Sequence, residues 1–206
     1  MMIRAAENRR LFGMVFRRWT LVVLPLFLIL ASTAWALWHA DRSRRSSLLL
    51  QARLIANSLH PGRVAHLASS PGDAASPDYL RLKHQLETIR QTDPRYHYLY
   101  LMGRQPDGEI LFLVEAIPPD ESEDPPGYSY SEASDELHRV FTDLQPFTEG
   151  PLQDEWGIWI SAHVPVLDPE SGTILALLGV DVDARNWHRD ILVRAALPSI
   201  LAAITI

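Results

Sequence analysis

The chain of 206 residues contains no cysteine and has more acidic than basic side chains. Without cysteine there is no disulfide and no thiolate-bound zinc, and the redox compartment of the protein is left open. The formal net charge is -6, and no basic stripe with interleaved aromatic residues occurs. Proteins that bind nucleic acids need such a stripe to meet the phosphates, so the composition argues against nucleic acid as a partner.

The sequence also lacks the motifs that mark catalytic and metal centres. None of its eight histidines has the H-E-x-x-H spacing of a zinc protease, and there is no G-x-S-x-G nucleophile elbow. The pair Asp181 and Asp183 has no nucleotide-binding context around it, and the acidic run Asp120 to Asp124 lacks the spacing of a calcium loop. We therefore expect a chain that is not an enzyme and that binds neither a cofactor nor a metal ion.

Charge is missing from the nineteen residues between Thr20 and Trp38. As a helix this run would be ~28 Å long, close to the ~30 Å hydrocarbon core of a bilayer. We therefore expect a transmembrane helix at 20–38, after an N-terminal arm at 1–19. A second apolar run, Ala195 to Ile206, would reach only ~18 Å. We interpret 195–206 as the truncated start of a second transmembrane helix, with an interfacial or packed helix as the alternative.

Arginines flank the first apolar run unevenly, with five before it and three after it: Arg4, Arg9, Arg10, Arg17 and Arg18, against Arg42, Arg44 and Arg45. The positive-inside rule then keeps the N-terminus in the cytoplasm and places the following domain outside. The alternative is a signal peptide cleaved after Ala36 or Ala40, which would make the protein a secreted binding protein. The run is longer than the roughly 7–15 residues of a signal-peptide core, which favours an uncleaved anchor.

Two helices are predicted at the start of the domain, which we place at 41–190. Apolar residues recur at helical spacing directly after the membrane run, at Leu48, Ala52, Ile55 and Leu59. Since no helix breaker separates them from Trp38, one helix is expected to run from the membrane to His60. Ser76 followed by Pro77 predicts the start of a second helix, which Asp93 and Pro94 end.

From Arg95 onward the pattern of apolar residues alternates, which predicts strands. A turn at 105–108 joins two strands into one hairpin, and a turn at 168–172 joins 156–166 to 173–183 in a second. A Pro-rich acidic loop and a short helix near 131–141 lie between the hairpins, and Asp183 is placed to cap a last helix. The order predicts an antiparallel α+β domain.

Three segments carry a resemblance to a known family: YLYLMGRQPDGEILFLVEA (98–116), DPPGYSYSEAS (124–134) and the stretch 147–187, which contains GVDVD. With the long entry helix and the flanking apolar runs, they resemble a single Cache-type, or PDC-type, extracytoplasmic sensor domain. Such domains precede the output domains of bacterial sensor histidine kinases of two-component systems, diguanylate cyclases and chemoreceptors. The resemblance implies a PAS-like antiparallel sheet of about five strands, with the long helix on one face and a ligand pocket on the other.

The resemblance also implies a site. Asp181 matches the family position that meets the ligand, often an amine, and an internal salt bridge is the equally weighted alternative. Alternation places further side chains on the predicted pocket face, namely Tyr98, Tyr100, Trp159, Ser161 and His163, for which plain core packing is the alternative. Glu115 of the second strand and Tyr128 of the loop are further candidates for the ligand site. No Arg-x-Trp-Tyr stretch precedes the first hairpin, which argues against amino-acid binding.

These patterns together predict the sensing module of a signalling protein in the bacterial inner membrane, with its domain in the periplasm. We expect a small cationic or polar ligand, a membrane and a second copy of the chain as its partners. The alternative is a structural or dimerisation module of the same fold, whose pocket is filled by its own side chains.

Overall fold

The computed structural model describes the backbone of residues 2–192 and the side chains of residues 23–192. The apolar run predicted at 195–206 lies outside the described residues. Helix α1, Met2–Ser58, contains a segment long and apolar enough to cross a membrane. Large apolar side chains such as Leu24, Phe27 and Leu30 are 58%, 64% and 61% exposed there. An exposed apolar surface of this kind is typical of a membrane contact.

Residues Ser43–Asp190 form one compact unit, the globular domain. Its centre is an antiparallel sheet of five strands: β1 Tyr98–Arg104, β2 Ile110–Ala116, β3 Phe147–Gln153, β4 Ile158–Leu167 and β5 Ile174–Asp183. The strand order is β2-β1-β5-β4-β3, so β5 and β1 lie in the middle. The closing strand of the sequence is therefore its central strand, which buries the side chains it carries.

Short helices accompany the sheet: α2 Pro61–Ala65, α3 Pro77–Thr92 and α4 Asp135–Asp143, with a 3-10 turn at Pro71–Ala75. The Ser76 hydroxyl accepts a hydrogen bond from the Tyr79 N–H at 3.1 Å, and Ser134 caps α4 in the same way. Asp183 accepts the Arg185 N–H at the start of a helical segment at 184–192. The predicted caps at Ser76 and Asp183 are confirmed.

The two faces of the sheet carry different packing. Helix α3 packs on β1 and β2, and Leu99 and Leu101 of β1 are fully buried. Because side chains alternate along a strand, Tyr98 and Tyr100 project from the opposite face. On that face Tyr100 joins an apolar cluster with Leu137 and Val140 of α4.

The predicted α+β class and both hairpins are confirmed, and the helical stripe at Leu48, Ala52, Ile55 and Leu59 is buried. Alternation of apolar residues had indicated four strands. It did not reveal the fifth, Phe147–Gln153, which is β3 at the edge of the sheet. Its sequence FTEGPLQ contains Gly150 and Pro151, which interrupt the alternation by which strands are recognised.

Candidate functional site

One register row crosses four strands on the face that carries Tyr98 and Tyr100. Tyr98 lies opposite Asp181, Asp181 opposite Ser161, and Ser161 opposite Glu149. Residues that lie directly opposite each other share a sheet face. A neighbouring row contains Glu115, Tyr100, Gly179 and His163. The pairing register therefore brings together polar residues that are far apart in the sequence.

Asp181 is buried, with 5% of its surface exposed, and hydroxyl groups surround it. The Tyr100 hydroxyl donates to its Oδ1 at 3.1 Å, and Ser161 is a second hydrogen-bond partner. Burial raises the pKa of Asp181 to about 6, against the opposing influence of His163 and the two hydroxyls. Burial and, after it, the neighbouring carboxylate likewise hold the pKa of Tyr100 well above its ordinary value, so this phenol stays a hydrogen-bond donor.

A cavity opens above this carboxylate, lined by Tyr98, Tyr100, Met102, Phe112, Glu115, Ile117, Glu121, Ser122, Asp124, Tyr130, Asp154, Trp156 and Asp181. Its enclosed part has room for roughly two waters, and the cavity continues outward into open solvent, with about 440 Å³ of empty space in all. Phe112 contacts the rings of Tyr100, Tyr130 and Trp156 at centroid distances of 5.4, 5.6 and 5.9 Å. The cavity is therefore narrow and has aromatic walls.

Five of the lining residues are carboxylic acids, and among the described residues no lysine, arginine or histidine lines the cavity. Asp154 is satisfied locally, because its Oδ1 accepts N–H groups from Trp156, Gly157 and the Trp159 indole. Glu115 accepts the Asp124 N–H at 3.1 Å. Burial raises the pKa of Glu115 to about 7. The cavity is thus acidic, and no lysine or arginine among the described residues forms an ion pair with any of its five carboxyl groups.

The loop 117–134 between β2 and α4 covers the cavity. Residues 127–130 bond to β2, where the Phe112 N–H donates to the Tyr128 carbonyl at 2.9 Å and Tyr130 donates to Ile110 at 2.8 Å. Glu121 contacts the Tyr98 hydroxyl and lies 3.0 Å from Nε2 of His97. The loop is therefore held against the cavity partly by one of the cavity's own carboxylates.

The structure divides the predicted site residues into three groups. Asp181, Tyr98, Tyr100 and Glu115 line the cavity together. The second group is buried behind the lining: Ser161 bonds to Asp181, His163 lies 2.9 Å from Glu149, and the Trp159 ring packs on Tyr98 at 4.8 Å. Tyr128 lies outside the lining and is 37% exposed. Its main-chain carbonyl pairs the loop with β2 at Phe112. Two residues farther along the loop, Tyr130 faces the cavity instead.

Sequence reasoning missed the lining residues of the loops, chiefly Glu121, Asp124, Tyr130, Asp154 and Trp156. Strand periodicity assigns faces within a strand but does not say which loop folds over them. A local signal existed for Trp156, since it directly follows the acidic pair Asp154 and Glu155 in the connection from β3 to β4.

Among the residues that the structure describes, no three side chains of His, Cys, Asp or Glu converge as a metal site requires. No protein-family model matches the sequence, and no curated protein is significantly similar to it.

Solved structures do resemble it. One is the sensory domain of the chemoreceptor Tlp3 of Campylobacter jejuni, with a TM-score of 0.50 and 13% identity. The match covers 85% of this chain and 68% of the Tlp3 domain. An extracellular ligand binding receptor from Desulfohalobium retbaense matches 78% of this chain with a TM-score of 0.54 and 14% identity, and the match covers 26% of the receptor. The globular domain has the fold of Cache-type, or PDC-type, sensor domains, as its sequence resemblance indicated.

Proposed function

We propose that this chain is the ligand-sensing input module of a membrane-bound bacterial signalling protein, and that its cavity binds a small molecule with a cationic group. The observation that carries the proposal is the acidic, aromatic cavity with buried Asp181 in its lining. In this proposal the domain is periplasmic, and any kinase or cyclase activity belongs to a separate output domain.

The chemistry of the cavity supports a cationic ligand. An ionised carboxylate is costly to bury unless a cation or several hydrogen bonds compensate it. Among the described residues, the hydrogen-bond partners of Asp181 are the hydroxyl groups of Tyr100 and Ser161, and neither carries a positive charge. Rings such as Phe112 and Trp156 present faces that attract an organic ammonium group, as aromatic cages do. An ammonium group would supply the charge that the protein itself does not place in the cavity.

The binding test uses the full chain in lipid nanodiscs and follows thermal unfolding by tryptophan fluorescence in a library of amines, amino acids, organic acids and sugars. An amine ligand at about 100-fold above its Kd should raise the Tm by roughly 5–10 °C. Asp181→Asn should lose the response. Asp183→Asn is the matched control, because it removes a carboxylate two residues along β5 and asparagine still caps a helix. A library without any stabilising compound, or an unchanged response in D181N, would contradict the proposal.

The alternative of a purely structural module predicts a closed, dry pocket filled by the domain's own side chains, with no empty space lined by polar groups. Five carboxylic acids in one cavity do not fit that expectation. The alternative of a secreted binding protein requires cleavage after Ala36 or Ala40, which N-terminal sequencing of the mature protein would reveal. An N-terminus near Asp41 would establish the secreted form.

The proposed topology has a cytoplasmic arm at 1–19, a span at 20–38 and a periplasmic domain at 41–190. Alkaline phosphatase is active only outside the cytoplasm, and the hairpin turn at Gly172 is exposed. A fusion after Gly172 should therefore be active, and the same fusion after Arg10 should be inactive. The reverse pattern would exclude a periplasmic domain and with it an extracellular ligand.

We also propose that the module forms a weak parallel homodimer through α1. The inward stripe of α1 is buried in its own domain, while Leu50 and Leu54 on the outward side are 59% and 64% exposed. These two leucines lie one helical turn apart, near the exposed Arg53 and Ser58 on the same helix. A second copy of α1 would cover an apolar strip that is otherwise left in water.

A further inference from the structure

The cavity has a second carboxylate that faces it from a different strand. Glu115 of β2 lies opposite Tyr100, and Asp181 of β5 lies opposite Tyr98. Since β1 runs between β2 and β5, the two acids share one sheet face on either side of β1. Two strand spacings and an offset of two residues would place their Cα atoms about 12 Å apart on a flat sheet.

The surroundings of the two acids differ from those of the other acids in the lining. Asp154 accepts three N–H groups, and Glu121 contacts the Tyr98 hydroxyl and His97. Glu115 has the single backbone N–H of Asp124, and Asp181 has hydroxyl groups only. Among the described residues the carboxyl group of Asp124 accepts no hydrogen bond, but Asp124 lies on the covering loop, whereas Glu115 and Asp181 lie in the sheet on either side of β1.

Aromatic side chains occupy the space between them. Tyr98 and Tyr100 project from β1 itself, and Phe112, Tyr130 and Trp156 complete the walls. Apolar walls between two acidic ends suit a thin alkyl chain with a charge at each end, because the chain contacts the rings while each ammonium group meets a carboxylate.

We propose that the cavity binds a short aliphatic diamine, with one ammonium group at Asp181 and the other at Glu115. This inference rests on the proposed sensing function and specifies its ligand class. A ligand with one ammonium group would satisfy only one end, and a zwitterionic amino acid would bring its carboxylate against an acid. Glu115 is therefore assigned as the residue that selects for a second positive charge.

The test titrates the full chain in nanodiscs with cadaverine, putrescine, n-pentylamine and the zwitterion 5-aminopentanoate, and measures Kd by tryptophan fluorescence and calorimetry. We expect at least one diamine to bind 10-fold or more tighter than n-pentylamine, and the zwitterion to bind more weakly still. Glu115→Gln should bring the diamine and n-pentylamine within about 2-fold of each other. Glu109→Gln, an exposed acid just before β2, is the matched control and should leave the ratio unchanged.

The outcomes separate the inference from the proposed function. The diamine assignment would be overturned if n-pentylamine and the diamines bound with equal affinity, and if D181N abolished this binding while E115Q did not change it. The proposed sensing of a cation would then still stand. Binding of a library compound without any amino group would overturn the assignment and the cationic ligand together. If no compound binds the wild-type chain, both the inference and the proposed function fail. Circular dichroism of E115Q and D181N confirms that each variant is folded before its affinity is interpreted.

Discussion

Nε2 of His163 lies 2.9 Å from Oε1 of Glu149, and the two side chains are only 2% and 13% exposed. Burial raises the pKa of Glu149, but His163 and the Ser134 hydroxyl outweigh it, so the pKa of Glu149 is lowered overall. The main-chain carbonyl of the same Glu149 accepts a hydrogen bond from Arg45 of α1 at 3.2 Å. Strand β3 therefore contacts both the residues behind the cavity and the helix that contains the membrane run.

The buried contact between Glu149 and His163 should contribute measurably to the stability of the domain. Glu149→Gln should lower the free energy of unfolding by about 3 kcal/mol at pH 6, because it leaves His163 buried without an anionic partner in contact. Urea unfolding followed by tryptophan fluorescence measures the change. Glu136→Gln is the matched control, since Glu136 pairs with Arg139 on the surface, and it should change stability by less than about 0.5 kcal/mol.

A double-mutant cycle with His163→Gln tests the assignment of that energy. If the two residues act as a pair, the double variant should be more stable than the sum of the single losses predicts, by about 1–3 kcal/mol. Additive losses would show that Glu149 stabilises the domain through Ser134 or the main chain rather than through His163.

The buried Asp181 should make the ligand-free domain less stable as the pH rises. Its pKa is about 6 in the folded state against 3.8 in the unfolded chain, so the folded state holds this proton more tightly. The associated stability is fully present below pH ~4, is lost as the pH passes through ~6, and amounts to about 3 kcal/mol.

Asp181→Asn removes this dependence, since asparagine keeps an acceptor for Tyr100 and carries no charge. At pH 8 the variant should be more stable than the wild type by up to about 3 kcal/mol, and at pH 4 the two should be nearly equal. Urea unfolding at both values measures the difference. A variant that is destabilised equally at both values would instead indicate that Asp181 has a structural role and would weaken the ligand proposal.

The residues that the strands contribute to the site were predictable, and those of the covering loop 117–134 were not. Alternation placed Tyr98 and Tyr100 on one face, since a period of two determines the side of the sheet on which each residue lies, and the family resemblance indicated Asp181, which lies on the same face. Tyr128 and Tyr130 also differ by two positions, but the loop pairs irregularly with β2 through one isolated bridge, so strand logic does not apply to them. The partner of His163 was missed because its strand was missed: Gly150 and Pro151 conceal the alternation of β3.

The proposed dimer can be tested in this cysteine-free chain by placing single cysteines along α1. Ser46→Cys, Leu50→Cys and Leu54→Cys lie on the exposed side of the helix and should crosslink between protomers in membranes under mild oxidation. Ala52→Cys is the control, because Ala52 is fully buried in its own domain and should not crosslink. Arg45 is left unchanged, because its guanidinium donates to the carbonyls of Glu149 and Gly150 and its replacement would disturb β3. Equal yields at Leu50 and Ala52 would argue against a specific contact.

Gly179 is required for the position of Tyr100. A Cβ atom at Gly179 would lie 2.0 Å from Cε2 and 2.2 Å from Cζ of Tyr100, so the ring passes directly over the glycine to place its hydroxyl on Asp181. Gly179→Ala must therefore displace the ring, and we expect a loss of about 2–3 kcal/mol in the free energy of unfolding. Gly103→Ala is the matched control on β1, where the nearest atoms belong to the flexible Leu113 side chain at 3.1 Å, and it should cost less than about 1 kcal/mol.

Combining Gly179→Ala with Tyr100→Phe separates two effects of the alanine: displacement of the Tyr100 ring and loss of packing elsewhere. In the wild-type background Y100F removes one hydrogen bond to a carboxylate and should cost about 1.5–3 kcal/mol at pH 8. In the G179A background that bond is already broken, so Y100F should cost little more. If Y100F lowered the free energy of unfolding as much in the G179A background as in the wild type, Tyr100 would still reach Asp181 past the new methyl group. Gly179 would then not be required for the position of the Tyr100 hydroxyl.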